Sequence, residues 1–470
     1  MRRRRAVAAA LATLVVLGVT TACEAGSDDP PPSPDPQPSA SSEAKLTVAV
    51  TGTEDEIAAY TSVIETFDSL SDDAEVSIES YPTEAALMAR LRQGGAVPDV
   101  FLASRDDLAW LLEQGVTQPV DQLLDERGVD FGDGYSRDGL QAFSVDNSLQ
   151  CMPYAISPMV MYYNTDLVDF AKMEKRGLPV PSSDPPLSWG FDVFAAAAEF
   201  ASRPARGTKG LYVDPTLRDL SPMVYSGGGQ LFDDDADPTS LTLADSSESL
   251  ERWLELLRNP QLTLTPEQLQ RRPALEWFER GKLAMIPGYR DWVPELRLVH
   301  GLQFDTIAMP VLDTSATVGD VVGLCLSADA ASTPAAADLM VHMLSTPSVQ
   351  RVALEGYIVP ANLEVALSDD FLQPGRQPEH SGVFNSAVRA IDFPPLISTW
   401  AQLERLVAGD LQALIDVPVL DDLAERLQAI DEKSRTVLDP ESVEPSESGS
   451  ESGSPGSTSG DGPTSAATTG

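Results

Sequence analysis

The first third of the globular part of the chain alternates between strand and helix patterns. Apolar runs typical of strands occupy residues 45–50, 76–81 and 99–103. Apolar residues at helical spacing lie between these runs, and another helix pattern covers residues 106–114. This order predicts an α/β fold with a parallel sheet, in which ligands bind beyond the carboxyl ends of the strands. The strand ends near residues 51–53 and 104–106 are therefore the first candidate site.

The second half of the chain repeats this alternation after residue 164. Helix patterns cover residues 191–200, 249–257, 274–280, 335–344, 348–354, 396–408 and 419–429. Strand patterns cover residues 210–213, 282–286, 306–309 and 321–327. No internal repeat relates the two halves, so the pattern predicts a second α/β unit that is not a copy of the first.

Residues 149–166 connect the two halves through a long apolar and aromatic run. Pro153 and Pro158 interrupt it, and because proline has no backbone donor, each marks a strand end, a bulge or a kink. We interpret the run as a strand that leaves one lobe, bends between Tyr154 and Pro158, and enters a second lobe. A ligand cleft would lie beside the bend. Asn164 and its neighbours are expected to end the strand and cap a helix.

The amino-terminal segment predicts export. Four arginines at residues 2–5 precede an apolar run at residues 6–19, which suits a signal peptide and is short for a membrane span. The sequence Thr20-Thr21-Ala22-Cys23 resembles the lipobox of bacterial lipoproteins, although Thr20 stands where leucine is usual. The segment therefore predicts a lipoprotein whose Cys23 is lipidated and anchored to the outer face of the cytoplasmic membrane. An ordinary cleaved signal peptide is the alternative.

Composition changes sharply at both ends of the globular region. Residues 24–44 are rich in Pro, Ser and Asp and predict a linker, and residues 439–470 are rich in Ser, Gly and Glu and predict a disordered tail. Once the leader and its four arginines are removed, 28 basic residues stand against 72 acidic ones, a net charge of −44. Such an acidic surface repels nucleic acid and favours solubility.

The sequence contains no recognisable catalytic motif and no metal-ligand spacing. His300, His342 and His380 are scattered without metal-ligand spacing. The chain has no Gly-x-Ser-x-Gly nucleophile turn and no phosphate-binding P-loop. The acidic run at residues 233–237 lacks the turn glycine and the distal glutamate of a calcium loop. We therefore expect no enzyme activity, no cofactor and no metal.

A set of short motifs occurs in an order typical of one protein family. The motifs are Pro98-Asp99-Val100-Phe101, Tyr163-Asn164-Thr165-Asp166-Leu167, Ser188-Trp189, Gly227-Gly228-Gly229-Gln230-Leu231-Phe232, Phe278-Glu279-Arg280-Gly281-Lys282-Leu283-Ala284-Met285 and Gly356-Tyr357-Ile358-Val359-Pro360. Together with the lipobox, the set resembles the family 1 extracellular solute-binding proteins, lipoprotein receptors of ABC importers related to maltose-binding protein. The resemblance spans residues 45–438. It implies a two-lobe, periplasmic-binding-protein-like (type II) α/β fold with hinge strands between the lobes. The two lobes are expected to close on a sugar or oligosaccharide.

The resemblance also implies the organisation of the chain and its partners. Lobe 1 is expected to comprise residues 45–155 and 327–358, and lobe 2 residues 156–326 and 359–438. The expected partners are a small-molecule ligand, ABC permease subunits and the membrane through the lipid anchor, with no nucleic acid, and the receptor is expected to be a monomer. A sensor or interaction lipoprotein on the same fold, without a transport role, is the alternative.

Sugar binding requires aromatic faces that stack on sugar rings and polar side chains that bind hydroxyl groups. The aromatic residues expected at the cleft are Tyr154, Tyr225, Tyr289, Trp292 and Tyr357. Packing in the core is the alternative for each of them. The polar residues expected there are Thr53, Ser104, Asp106, Ser157 and Arg290, with loop capping as the alternative.

The pattern of maltose-binding protein narrows the expected ligand. Asp106 matches an acidic sugar-binding position of that protein. Ser157 stands where that protein has an acidic sugar ligand, and Ala103 and Arg290 stand where it has tryptophans. The resemblance therefore implies a ligand other than maltodextrin, and arginines near the cleft leave room for an anionic sugar.

Cys151 and Cys325 are the two cysteines besides the lipobox cysteine. An oxidising compartment permits a disulfide between them, and two buried free thiols are the alternative. The family places the strand that carries Cys325 at a second crossover. If that strand neighbours the strand of Cys151, the thiols come within bonding range, with the two Cα atoms roughly 4.4–6.8 Å apart, and a disulfide is the hypothesis.

Overall fold

The computed structural model describes residues 44–71, 74–182 and 187–442 of the chain. The predicted leader with Cys23, the linker up to residue 43 and the tail from residue 443 lie outside the described residues. The strands are β1 Ala44–Thr51, β2 Ala74–Tyr81, β3 Val100–Ser104, β4 Thr117–Gln118, β5 Ser144–Val145, β6 Ser148–Leu149, β7 Cys151–Pro158, β8 Val160–Asn164, β9 Met285–Gly288, β10 Phe304–Ile307 and β11 Gly319–Ser327.

Nineteen α-helices occur in the described residues, and four short 3-10 turns accompany them. The helices are α1 Glu54–Leu70, α2 Glu84–Arg92, α3 Leu108–Glu113, α4 Asp121–Asp125, α5 Arg137–Ala142, α6 Phe170–Lys175, α7 Phe191–Ala201, α8 Leu217–Ser226, α9 Ser247–Leu257, α10 Pro266–Leu269, α11 Ala274–Glu279, α12 Trp292–Leu298, α13 Thr333–Leu344, α14 Thr346–Ala353, α15 Leu363–Ala366, α16 Asp369–Leu372, α17 Gly382–Ala387, α18 Trp400–Asp416 and α19 Leu423–Leu438. Within the three described ranges, no helix is both long and apolar enough to cross a membrane.

Two sheets organise the molecule. The larger has the order β2-β1-β3-β11-β4, and β7 also pairs with β11. Its first three strands are parallel, as the strand and helix pattern predicts, and β11 runs antiparallel to its neighbours. The smaller sheet has the order β10-β8-β9 and is antiparallel. The chain is therefore mixed α/β, as expected.

The apolar run at residues 149–166 passes from one sheet to the other. β7 belongs to the larger sheet and β8 to the smaller one, and the strand is interrupted between Pro158 and Val160. The break lies at the end of the expected bend. β11 flanks β7 along its length, with a bulge between Val322 and Gly323. These two strands therefore form the connection that the interpretation assigns to the hinge, while the predicted lobe boundaries stay a prediction.

Two local predictions are wrong. Residues 210–213 do not form a strand: Gly210 and Leu211 both donate to the carbonyl of Leu262, and Gly210 lies so close to α7 that an added Cβ would meet the Ala198 carbonyl. Asn164 does not cap a helix, because its side chain accepts from the backbone of a turn and α6 begins only at Phe170.

Each sheet has its own hydrophobic core. Phe101, Leu324 and the helices beside the larger sheet form one cluster. Tyr162 and Phe304 belong to a second cluster beside the smaller sheet, and a third surrounds Trp253 between the helices of the second half. The cores leave the edge between the two sheets lined by polar residues, and this edge is where the strand ends converge.

Cys151 and Cys325 are disulfide-bonded in the structure. They lie directly opposite each other in the antiparallel pair of β7 and β11, with their Cα atoms 4.3 Å apart. Both side chains are fully buried in the core of the larger sheet. The bond therefore joins the two connecting strands on the side of the larger sheet.

Candidate ligand-binding site

A cavity of about 480 Å³ lies between the two sheets. One wall is formed by the residues that follow β1, β2 and β3 and by the inner faces of β7 and β11. The opposite wall is formed by the turn after β9 and by α12. Ligand pockets of about 300–1,000 Å³ are typical of small-molecule sites. The cavity thus lies at the carboxyl ends of the parallel strands, where the sequence places the site.

Six of the ten predicted site residues line this cavity. They are Thr53, Ser104, Ser157, Tyr289, Trp292 and Tyr357. The other four lie elsewhere, and each has a local reason given below. The structure therefore brings residues from five distant segments of the chain to one cavity, while their roles toward a ligand stay a proposal.

Tyr289 and Trp292 form the aromatic wall of the cavity. Tyr162 of β8 holds both of them from behind: its hydroxyl donates to the Tyr289 carbonyl at 2.5 Å, and its ring centre lies 5.6 Å from that of Trp292. Gly288 lies directly beneath the indole, because a Cβ added there would be 2.3 Å from Trp292 Cζ3. The glycine therefore allows the indole to lie against the backbone at the end of β9.

We expect Gly288→Ala to displace Trp292 and to lower the free energy of unfolding by about 1–3 kcal/mol, the usual cost of forcing an extra carbon into a packed site. Gly409→Ala is the matched control, because Gly409 is exposed in α18 and has no atom within 4 Å of an added Cβ. It should be neutral or slightly stabilising. Urea unfolding and tryptophan emission measure both variants. Equal midpoints for the two would contradict the packing described.

The polar residues of the opposite wall also have local structural roles. Thr53 is the N-cap of α1 and forms a capping box with Glu56, and Ser104 accepts from the backbone of Asp106 in the 3-10 turn Arg105–Asp107. The hydroxyl of Ser157 accepts from the backbone of Arg290 at 3.1 Å. These bonds fix the side chains at the cavity edge, so the two interpretations of loop capping and ligand contact are compatible.

Most of the charged residues at this site were not predicted from the sequence. Five carboxylates line the cavity, namely Glu56, Glu84, Asp291, Glu295 and Asp320. Glu56 belongs to the capping box of α1, which suggests only a structural role, and Glu84 carries no motif beyond its position in the first turn of a helix that follows a strand end. That position, together with the rule that ligands bind beyond strand ends, is the signal that could have found them.

The carboxylates influence one another. Burial raises the pKa of Glu56 to about 6, and repulsion from Glu84 and Asp291 acts in the same direction, while hydrogen bonds from Thr53 oppose it. Desolvation raises the pKa of Asp291 to about 6, with repulsion from Asp320 as the next cause. Negative charge is therefore concentrated here.

Asp106 is held by an arginine from the other side of the cleft. Arg218 of α8 forms ion pairs with Asp106, beyond the end of β3, and with Asp320 of β11. The predicted ligand residue Asp106 is therefore engaged by a protein cation in this structure. Arg218 joins the helices of the second half to the strands of the larger sheet.

Arg290 is not at the cleft, contrary to the sequence prediction. Its side chain is fully buried, and its guanidinium donates to the carbonyls of Gly356 and Phe371 and to the hydroxyl of Ser381. It also lies over the Phe371 ring, 4.6 Å from the ring centre. Arg290 therefore ties together three segments of the chain and cannot reach a ligand.

Two predicted tyrosines also lie away from the cavity. Tyr154 is buried in the core of the larger sheet, where its ring packs 5.6 Å from that of Tyr60. Tyr225 belongs to the core around α8 and borders a small separate cavity near Trp400. For both residues the core alternative describes the structure, because the apolar faces of their elements turn inward.

The expectation of an anionic ligand loses its basis. Arg290 is buried, and Arg218 is paired with two aspartates. Arg105 donates to the carbonyls of Ala142 and Pro394.

In the described parts of the chain, no group of three or more His, Cys, Asp or Glu side chains could hold a metal ion.

Comparison with known proteins identifies what the chain resembles. The family model of the bacterial extracellular solute-binding proteins matches residues 62–376. An ABC substrate-binding protein from Listeria monocytogenes, solved with cycloalternan, is 16% identical with a TM-score of 0.70, over 84% of this chain and 99% of that one. The GacH receptor of Streptomyces glaucescens, solved unliganded and with acarbose, is 18% identical with a TM-score of 0.64, over 84% and 98%.

A third solved structure has the same architecture. The maltose-maltodextrin binding protein of Alicyclobacillus acidocaldarius is 16% identical with a TM-score of 0.65, over 83% of this chain and all of that one. At these identities the likeness establishes the two-lobe fold and leaves the ligand of this chain open.

Proposed function

The chain belongs to the bacterial extracellular solute-binding proteins, and from this premise we propose that it is the receptor of an ABC importer for a carbohydrate or a related small solute. Its ligand would bind in the cavity between the two sheets and pass to the permease subunits of the importer. The observation that carries this proposal is the cavity itself, with aromatic and polar side chains on facing walls.

Thr53, Ser104, Ser157, Tyr289, Trp292 and Tyr357 are the proposed ligand residues. Tyr289 and Trp292 offer ring faces that can stack on the C–H faces of a sugar. The three hydroxyl residues lie opposite, at positions from which they can bind sugar hydroxyl groups. One structural relative was solved with cycloalternan, another with acarbose, and a third is a maltose-maltodextrin binding protein, which supports a carbohydrate ligand for this chain.

Closure around the ligand is the proposed mechanism. β7 and β11 pair side by side in the larger sheet, and β7 leads directly into β8 of the smaller sheet, so rotation about these strands would open and close the cavity. The ion pair between Arg218 and Asp106 spans the cleft and would favour the closed arrangement. A ligand shifts the equilibrium toward closure only if it contacts both walls, and the lining provides contacts on both.

The receptor is proposed to work outside the cell as a monomer tethered by lipid. Cys23, in a sequence that resembles a lipobox, is the proposed site of lipidation, and the Pro-rich segment behind it would hold the folded part away from the membrane.

A thermal-shift panel of mono- and oligosaccharides, polyols and sugar acids on residues 24–470 tests the proposal. A ligand at about 100 times its dissociation constant should stabilise the receptor by about 2.7 kcal/mol. Trp292→Ala should remove the shift, and the surface variant Gly409→Ala should retain it. If no small solute raises the melting temperature, the receptor function is overturned in favour of a non-transport lipoprotein.

A further inference from the structure

The charge of the cleft is strongly one-sided. Its described lining includes five carboxylates, Glu56, Glu84, Asp291, Glu295 and Asp320, and no lysine, arginine or histidine. In the described residues, Asp320 alone among these five has a salt bridge, to Arg218. The other four therefore have no cationic salt-bridge partner among the described residues.

Neutral hydrogen-bond donors hold three of the unpaired carboxylates in place. Glu56 accepts from the backbone and hydroxyl of Thr53 at 2.9 and 3.1 Å. Glu84 accepts from the hydroxyl of Thr51 at 3.0 Å, and Glu295 accepts from the hydroxyl of Tyr357 at 3.1 Å. Such donors orient the carboxylates without neutralising them. The negative charge is therefore built into the walls from both sides of the cleft.

A second cavity, of about 360 Å³, adjoins the first behind the aromatic wall. Tyr289 and Trp292 line both cavities, and the second also contains Asp214, Asp219 and Glu404. Arg218 is the single cation in its lining. Acidic side chains therefore continue past the aromatic pair, along a path longer than one sugar ring.

The hydroxyl of Tyr289, between the two cavities, is an independent sign of a missing polar partner. Its oxygen is buried and makes no hydrogen bond of normal distance and angle among the described residues, while the guanidinium of Arg218 interacts with it through charge and a looser side-chain hydrogen bond. A buried hydroxyl without a well-placed partner is destabilising. A ligand with polar groups in the cleft would supply that partner.

The arrangement does not suit a metal ion. Metal sites need several ligands converging on one point, and the described residues contain no such group. The carboxylates are instead spread over both walls: Glu56 and Glu84 follow β1 and β2, Asp291 and Glu295 lie at the start of α12 and within it, and Asp320 lies on β11. Dispersed charge of this kind suits an extended organic cation.

We propose that the ligand of this cleft is a cationic, amine-bearing sugar, whose ammonium groups are held by Glu56, Glu84, Asp291 and Glu295. This inference rests on the proposed receptor function and specifies its substrate class. The sugar hydroxyls would meet Thr53, Ser104 and Ser157. The faces of Trp292 and Tyr289 suit both sugar C–H groups and an ammonium group, because aromatic faces attract cations. A neutral sugar would leave four carboxylates uncompensated in the closed cleft.

The test uses three hexoses that differ only at one carbon: 6-amino-6-deoxyglucose, glucose and glucuronic acid. Kanamycin is added as a larger amine-bearing sugar and spermidine as a polyamine without a sugar. Dissociation constants are measured by calorimetry on residues 24–470 at pH 7 and moderate salt. An amine-bearing sugar should bind at least about tenfold more tightly than its neutral match, a modest estimate for a charge pair in a partly desolvated cleft. Glucuronic acid should bind most weakly.

A double variant with two isosteric substitutions tests whether the cleft carboxylates cause the preference for the amine. Glu84→Gln with Asp291→Asn should remove about tenfold or more of the affinity for the amine and change the affinity for a neutral sugar by less than about threefold. Glu113→Gln is the matched control, because Glu113 is exposed on α3, away from the cavity. It lowers the net negative charge without touching the cleft, and should leave every constant unchanged.

The outcomes separate this inference from the receptor function. Neutral sugars that bind as tightly as their amines overturn the cationic class and leave the receptor function standing. Equal losses in Glu113→Gln and in the double variant overturn the assignment to the cleft carboxylates. Binding of spermidine with no binding of any sugar overturns the sugar part of the inference. Failure of every compound here and in the wider panel overturns both proposals.

Discussion

Replacing Arg290 with methionine is expected to lower the free energy of unfolding by about 3–5 kcal/mol. Arg290 is fully buried, and its guanidinium is the common partner of two carbonyls and one hydroxyl. Methionine fills a similar volume but leaves Gly356, Phe371 and Ser381 without their donor. Each buried group left without a partner costs about 1–3 kcal/mol, which accounts for the expected loss.

Burial disfavours the charged form of Arg290. Desolvation lowers the pKa of Arg290 to about 9, against a usual value of 12.5, and no carboxylate in the described parts of the chain offsets this. The Phe371 and Phe384 rings beneath it supply part of the stabilisation that an acid would supply. Arg290→Lys should therefore also be destabilising, because one ammonium group cannot reproduce a planar fork that reaches three acceptors.

Urea unfolding followed by circular dichroism measures the effect. Arg280→Met is the matched control, because Arg280 is more than half exposed and pairs only with Glu276 one turn away on α11. Such surface pairs contribute about 0.5 kcal/mol or less. If Arg290→Met unfolds at the same urea concentration as Arg280→Met and instead loses ligand affinity, Arg290 is a ligand residue after all, and the role described here is wrong.

Arg290 illustrates why part of the site could not be predicted. An arginine between Tyr289 and Trp292, in a turn after a strand, has the local sequence of a cleft residue. Its true environment is decided by Gly356, Phe371 and Ser381, more than 60 residues away. No pattern within a short window contains that information. The neighbours of Arg290 were predicted correctly to line the cavity because the turn itself points there.

The larger elements could be predicted because each has a strong local signal. β1, β3 and the connecting run of β7 and β8 are nearly continuous apolar segments, and most helices show apolar residues at helical spacing. The order of motifs added the two-lobe arrangement, which the solved relatives share. The strand predicted at residues 210–213 failed because those residues are apolar but bond to a loop carbonyl.

The acidic character of the cleft was missed for a different reason. Asp320 enters the cavity only because β11 pairs with β7 in a register that puts it beside Ser157. Glu56 is explained locally by its capping box with Thr53, so its sequence context suggests a structural role and conceals a second one. The other cavity carboxylates could not be singled out from the sequence. The chain has 72 acidic residues, and nothing before the fold is known distinguishes these few from the others.

Removing the disulfide between Cys151 and Cys325 is expected to lower the free energy of unfolding by about 2–5 kcal/mol. The bond closes a loop with a sequence separation of 174 residues, which includes all three strands of the smaller sheet. In the chain-entropy account, a loop of this length gives an effect at the upper end of that range. The double variant Cys151→Ala with Cys325→Ala removes the bond and leaves two small side chains in the core.

Reduction of the unmodified protein separates the bond from the packing of its side chains. Dithiothreitol should lower the melting temperature of the unmodified residues 24–470 and leave that of the double variant unchanged. Ligand affinity should survive in both, because the bond lies in the core of the larger sheet and neither cysteine lines the cavity. Two reactive thiols per chain in denaturant, without reductant, would show that the bond is not formed. In that case dithiothreitol would have no effect, and β7 and β11 would be held together by their backbone ladder alone.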